Sequence, residues 1–234
     1  MDLAGKKAVV FGGTSGIGLA ACEQLIEKGA TVVAISRDPS KVSKVPAGMT
    51  LEACDVRDVA AMEALFEKLA PFDVLISAAT GGERAIGPFL EMDVDGFKAS
   101  FDKLWGYANV VRYGAKHLAD DGSITLVSGI PARNGKPGQI AIASVGGAVE
   151  AFAREAAREI APKRLNVVAP GQIDTPMVAL QGQARADLYK KMTEGHLIPR
   201  AGLPEEVAKG ILFVVENDFV TGTVIDVDGG WLIS

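Results

Sequence analysis

Residues 7–18 read KAVVFGGTSGIG, and this stretch decides the fold. Lys7–Phe11 is a short apolar run of strand type. It passes straight into glycines spaced G-x-x-x-G-x-G at Gly12, Gly16 and Gly18, and a helical pattern over Gly16–Lys28 follows at once. Each glycine has its own task. Gly12 permits the tight turn. Gly16 lets the backbone approach a pyrophosphate, which the free N–H groups and dipole of the helix N-terminus attract. Gly18 allows close packing of helix on strand. Thr14, Ser15 and Ile17 complete the loop and are expected to touch the same ligand. At the first strand–helix junction of an alternating chain, this pattern reads as a nucleotide-binding turn.

The alternation continues outward. Strands are predicted at Lys7–Phe11, Thr31–Ile35, Thr50–Ala53, Asp73–Ile76, Ser123–Val127, Leu165–Val168 and Val224–Val227. Several are apolar nearly throughout, as parallel strands covered on both faces must be. Helices are predicted between them at Gly16–Lys28, Val59–Leu69, Asp93–Leu118, Ala141–Ile160 and Pro204–Glu216. Such a chain forms right-handed βαβ units and an open, doubly wound α/β sheet of Rossmann type. The expected organisation is one domain over residues 1–234. The long stretch 174–202 lacks a clear strand and falls beyond the carboxyl ends of the strands. It is expected to form a substrate lid, the alternative being a surface helical hairpin.

Composition narrows the function. A net charge of −5 argues against a nucleic-acid surface, which needs clustered Lys and Arg. Cys22 and Cys54 are far apart without metal-ligand spacing, so reduced thiols in a cytoplasmic protein and no metal site are expected. No apolar signal core opens the chain, and no run of about 18 apolar residues suits a membrane span.

The second strand ends in AISRD, residues 34–38. An acid at that tip would bind a ribose diol, whereas an arginine pairs with a 2′-phosphate. Ser36 and Arg37 come first and Asp38 after them, which favours NADP(H) over NAD(H), NAD(H) remaining possible. The other reading of Arg37 is a solvated surface charge. Asp55, followed by Val56 after the third strand, is placed to meet the adenine amino group, or else to stand near the start of the next helix.

Over essentially its whole length the chain resembles the short-chain dehydrogenase/reductase family. The landmarks are GGTSGIG, CDV, DVLISAA, GSITLVSG, VEAFAREAAREIAPKRLNVVAPGQIDTPM, PEEVA and VTGTVIDVDGG. The resemblance implies a single domain with a seven-stranded parallel sheet, usually a homodimer or homotetramer, paired through the helices near 93–118 and 141–160. It implies that PGQIDTP borders the nicotinamide, with Gly171 in the turn and Ile173 and Thr175 near the carboxamide. It places Ala78 and Ala79 against the adenosine ribose.

The family's chemistry is hydride transfer between nicotinamide and a small carbonyl or alcohol. A serine and a tyrosine bind the reacting oxygen, a lysine four residues after the tyrosine supports it, and an asparagine supports the lysine. The serine maps to Ser128. The tyrosine and lysine positions hold Ile142 and Gly146, and the asparagine position falls at or beside Lys103. The usual NNAG reads SAAT, Ser77 to Thr80. Gly146 and Gly147 stand inside a helix, where each costs about 1 kcal/mol relative to alanine. One reading is that they leave a void into which Lys103 reaches, its ammonium near the nicotinamide ribose and available as proton donor beside Ser128. The other is that they let two helices pack closely while Lys103 is solvated.

Other polar residues carry weaker expectations. Trp105 and Tyr107 line a pocket or pack. Arg133, Asn134 and Lys136, after Ser128, bind an anionic group or lie in a solvated loop. His196 has a surface or core role, and His117 sits at a helix C-terminus. Two functions follow: an NADPH-linked oxidoreductase with a rebuilt centre, or a protein that binds NADPH without turnover.

Overall fold

The computed structural model describes residues 1–42, 45–80 and 84–234. The strands are β1 (Lys7–Phe11), β2 (Thr31–Ser36), β3 (Met49–Ala53), β4 (Phe72–Ser77), β5 (Leu118–Val127), β6 (Arg164–Pro170) and β7 (Val224–Val227). The helices are α1 (Gly16–Glu27), α2 (Val59–Leu69), α3 (Val94–Ser100), α4 (Asp102–Gly114), α5 (Ile140–Glu159), α6 (Gly182–Thr193) and α7 (Pro204–Glu216). The strands form one seven-stranded parallel sheet in the order β3-β2-β1-β4-β5-β6-β7.

Alternation along each strand feeds two apolar layers. Val9 and Phe11 of β1 face one way, into a core with Met62 and Phe66 of α2, Tyr107 and Val110 of α4 and Val149 of α5. Ala8 and Val10 face the other way, onto Ala21 and Leu25 of α1 and Val207 and Ile211 of α7. Covering both faces explains why the strands read as continuous apolar runs rather than alternating ones.

The order of strands reverses direction between β1 and β4. There the connections leave the sheet on opposite sides, and a crevice opens at the carboxyl ends. That end of the sheet carries the turns that follow each strand.

Two expectations are corrected. The single helix over Asp93–Leu118 is two, α3 and α4, broken at Phe101. Ser100 explains the break: its hydroxyl bonds the Gly96 carbonyl one turn back at 2.9 Å and accepts from the Ala85 amide at 2.9 Å. That back-bonding to i−4 bends a helix, and the outside contact ties it to a neighbouring loop. The segment also stops being helical at Gly114, and Leu118 already belongs to β5, pairing with Phe72 before a register shift.

Residues 174–202 leave and return at one point. Ile173 and Gly202 form a parallel bridge, with the Asp174 amide on the Gly202 carbonyl at 2.8 Å. The excursion contains one helix, α6, rather than a hairpin of two. Arg185 of α6 holds the outgoing arm by donating to the Asp174 carboxylate and to the carbonyls of Thr175, Val178 and Leu180. Among the described residues no helix is long and apolar enough to cross a membrane.

Candidate active site

The turn after β1 has the geometry its glycines require. Gly12 has φ +76° and Gly16 φ +51°, backbone regions that side chains other than glycine rarely adopt. A Cβ on Gly18 would stand 2.2 Å from the Gly12 carbonyl oxygen, so helix and strand touch through bare backbone. A Cβ on Gly12 would stand 2.8 Å from the Ala79 amide nitrogen, which fixes the loop against the end of β4. Gly12, Ala78 and Ala79 thus meet where the turns after β1 and β4 touch.

Helix α1 begins with no carboxylate in its first turn, and Ser15 makes no side-chain cap. The terminal amides and the positive end of the dipole are left to an anion. This cradle, which side chains would fill, fits the diphosphate of a dinucleotide. Thr175 lies on its far side, 3.5 Å from where a Gly16 Cβ would be. The turn after β6 therefore meets the turn after β1. Gly171 is there because a Cβ would stand 2.7 Å from the Asp228 backbone.

At the tip of β2 the Ser36 hydroxyl is buried without a partner and Arg37 is exposed. Asp38 is turned aside, accepting from the amide and hydroxyl of Ser40. Arg37 thus stands exposed at the tip of β2 while the neighbouring acid bonds Ser40. Neighbouring β3 presents Asp55, whose carboxylate is gripped by Arg57, Nε on one oxygen at 3.0 Å and Nη2 on the other at 2.7 Å. This grip holds the Asp55 carboxyl below the usual carboxylate range, and Arg37 adds to it. The cap of α2 is Asp58, not Asp55. Val56 is buried against Gly106 and gives its carbonyl to Asn109.

Ser128 follows β5, its amide on the Val168 carbonyl at 2.9 Å. Lys103 reaches it from α4: Nζ donates to the Ser128 carbonyl oxygen at 3.2 Å and stands over the Tyr107 ring. Desolvation, with Arg84 nearby, pushes the Lys103 ammonium down to about 8. Lys103 is half-buried rather than free in solvent, but neither does it enter a void at Gly146. A Cβ on Gly146 would lie 2.9 Å from that of Ala132, so the space is already filled by the turn Ile130–Ala132. Gly146 brings α5 close to that turn. Helix α5, IAIASVGGAVEAFAREAARE, contains neither tyrosine nor lysine.

A group absent from the expectations stands here instead. Ser128 Oγ is 3.3 Å from Glu150 Oε1 and 3.4 Å from the Gly146 carbonyl oxygen. Glu150 is buried, and its other oxygen meets Arg133 Nε at 3.3 Å. Arg133 also forks onto Asp226 of β7. The sequence did hold a signal: Glu150 follows Ile142 and Gly146 at the same i, i+4, i+8 spacing, on one helix face.

Of the remaining candidates, Tyr107, His117 and His196 pack against neighbours. Tyr107 is buried and gives its hydroxyl proton to the Val127 carbonyl at 2.9 Å, while Trp105 is exposed. Asn134 ties the Trp231 carbonyl, and Lys136 lies over the Trp231 ring. His196 is buried and stacks on the same ring, and His117 stacks on Phe66. A cleft of about 710 Å³ opens between Pro88–Phe89 and the 131–140 loop, with Arg133 and Lys136 on its wall.

Comparison with known proteins agrees with this fold. A family model described as Enoyl-(Acyl carrier protein) reductase matches residues 12–232. The 3-oxoacyl-[acyl-carrier-protein] reductase FabG of Thermotoga maritima is 32% identical, the alignment spanning 100% of both chains. A small-chain dehydrogenase solved in complex with NADPH superposes with a TM-score of 0.83 at 29% identity, over 98% of this chain and 100% of that one. ElxO with NADP bound gives 0.88 at 26% identity, over 98% of this chain and 100% of that one. With a matching family model, a relative aligned end to end and the glycine turn, serine and strand order all in place, the chain belongs to the short-chain dehydrogenase/reductase family of oxidoreductases.

Proposed function

We propose that this oxidoreductase uses NADP(H) and interconverts a small carbonyl compound and its alcohol, with Lys103 and Ser128 grouped at the reacting oxygen in place of a tyrosine–lysine pair. The observation that carries this reading is the Lys103 ammonium drawn out of water onto Ser128, at the carboxyl end of β5. A half-buried amine with a lowered pKa holds a transferable proton near neutrality.

The cofactor reading rests on the α1 cradle, on exposed Arg37 with Asp38 turned aside, and on the dinucleotides held by the structural relatives. Gly12, Thr14, Ser15, Gly16, Ile17 and Gly18 would hold the diphosphate side. Ser36 and Arg37 would hold the 2′-phosphate, and Asp55, Val56, Ala78 and Ala79 the adenosine. Gly171, Ile173, Thr175 and Lys103 would border the nicotinamide half. When bound, the cofactor supplies or accepts the hydride. Lys103 gives a proton to the oxygen or takes one from it, and Ser128 orients that oxygen. The 174–202 excursion serves as the lid, since Thr175 already lies against Gly16 and Arg185 holds the arm in place. The expected assembly is a homodimer or homotetramer through α4 and α5, in keeping with Trp105, 64% exposed on α4.

The second reading, NADPH binding without turnover, is favoured by the lack of tyrosine and lysine on α5. NADPH oxidation with diacetyl or phenanthrenequinone separates the two. Turnover that falls about a hundredfold in Ser128→Ala, the cost of misplacing the reacting oxygen, supports the first. No oxidation above background in either protein supports the second.

The cofactor choice has its own test. Arg37→Ala is expected to weaken NADPH binding roughly tenfold to a hundredfold, the loss of a charge-assisted hydrogen bond of about 1.5–3 kcal/mol. NADH affinity should stay unchanged. Equal losses for both nucleotides would remove Arg37 from the 2′-phosphate site.

A further inference from the structure

Ser128 has one hydroxyl proton and, within the protein, two acceptors for it: the Gly146 carbonyl oxygen at 3.4 Å and Glu150 Oε1 at 3.3 Å. Neither is a donor toward Ser128 in this arrangement: the Gly146 carbonyl carries no proton, and the other Glu150 oxygen is held by Arg133 Nε at 3.3 Å. Arg133 divides one positive charge between two carboxylates, Glu150 and Asp226. Glu150 is therefore only partly neutralised and keeps lone pairs for the Ser128 proton. Both Ser128 and Glu150 are buried, so water does not compete freely for either.

The backbone explains how these groups meet. Gly146 lies so close to Ala132 that no side chain fits between them. Ala132 is followed by Arg133, so the same approach that brings Ser128 to α5 also brings Arg133 over Glu150.

We propose that Glu150 is a positioning residue for the hydride-transfer chemistry: it takes the Ser128 proton and so turns Ser128 Oγ toward the reacting oxygen as a hydrogen-bond acceptor. This rests on reading Ser128 and Lys103 as the reaction centre. The consequence is a division of labour. A carbonyl oxygen offers only lone pairs, and Lys103 supplies the donor it needs. As the carbonyl carbon gains a hydride, the C=O π bond breaks and the oxygen takes a proton from the Lys103 ammonium, leaving the neutral amine. The new hydroxyl then turns its proton to Ser128, and the amine regains a proton from water. In the reverse direction, Ser128 is already set to receive the O–H of an alcohol. The site is thus matched to the alcohol form by Ser128 and to the carbonyl form by Lys103.

The test replaces Ser128 by a titratable reporter. S128C is titrated by its thiolate ultraviolet absorbance, alone and combined with Glu150→Gln. Burial pushes the Cys22 thiol up to about 12 and that of Cys54 to about 11, leaving the lower range clear. An ionised acceptor beside a thiol raises its pKa. The expected result is that Glu150→Gln lowers the pKa of the introduced thiol by about one pH unit or more. Glu150→Met, which removes the carboxylate altogether, should lower it likewise, and this second variant decides the matter if Glu150→Gln does not fold. An introduced thiol that titrates alike in all these proteins overturns the proposal.

Turnover of diacetyl provides the companion readout. Glu150→Gln should lose about tenfold or more, and no further loss should appear when it is added to Ser128→Ala. Additive losses would overturn the proposal by showing that Glu150 does not act through Ser128. A thiol shift in a protein that turns over nothing would uphold the Glu150–Ser128 coupling while rejecting the reaction-centre reading.

Discussion

Replacing Lys103 by methionine is expected to lower NADPH-dependent turnover of diacetyl by about a hundredfold or more, the usual contribution of a positioned proton donor. Methionine keeps the apolar stem and removes the ammonium. NADPH affinity should change little, because the diphosphate and 2′-phosphate contacts lie on other strands. The pH dependence gives the sign. Lys103 is pushed down to about 8, so it carries its proton below that pH and loses it above. Reduction by the unsubstituted protein should therefore fall as pH rises through about 8, and that inflection should vanish in Lys103→Met.

Stability supplies an internal control. The folded state holds the Lys103 proton less tightly than the unfolded chain, whose lysine titrates near 10.5. Between about 8 and 10.5 the unfolded state binds more protons, so this residue makes stability rise with pH across that window. Below the window the buried charge is a cost. Lys103→Met removes that cost and also the hydrogen bond to the Ser128 carbonyl, so a denaturation midpoint measured beside turnover separates lost chemistry from unfolding. Turnover unchanged by the substitution would end the proton-donor role.

Gly18→Ala is expected to cost about 3 kcal/mol of stability, the upper end for overpacking, and to abolish measurable dinucleotide binding. The new Cβ would stand 2.2 Å from the Gly12 carbonyl oxygen and 2.7 Å from its carbon, both fixed backbone atoms. Relief requires moving the β1–α1 turn, and that turn is the proposed diphosphate cradle. The contrast is Gly147→Ala, where the nearest atom is the Ala132 carbonyl oxygen at 3.9 Å. There an alanine in a helix interior should stabilise by about 0.5–1 kcal/mol and leave binding intact. Denaturation midpoints and NADPH titration of the two variants check both. Normal binding by Gly18→Ala would disconnect the glycine turn from the cofactor.

Gly146, one residue earlier on α5, has closer neighbours than Gly147. Gly146 looks on paper like a lysine position left empty for another side chain. In the fold, a Cβ there would sit 2.9 Å from that of Ala132. The glycine's role is approach, not vacancy, and what the approach brings together is Ser128, Glu150 and Arg133.

Sequence by itself determined the sheet, the order of its elements and the nucleotide turn. Those features rest on local causes: apolar strands covered on both faces, glycines where backbone meets backbone, and helix patterns of regular period. Strand ends moved by a few residues, because termini depend on neighbours rather than on their own composition. The break between α3 and α4 was hidden because it comes from the Ser100 hydroxyl meeting the distant Ala85 amide. The polar arrangement around Ser128 was hidden for the same reason. Ser128 and Lys103 are separate along the chain, as are Glu150, Arg133 and Asp226, and only the stacking of α4, β5, α5 and β7 sets their distances. Charge and hydrogen-bond energies fall steeply over a few ångströms. The residue types were therefore legible in the sequence, while the question of which of them share a proton was decided by the tertiary structure.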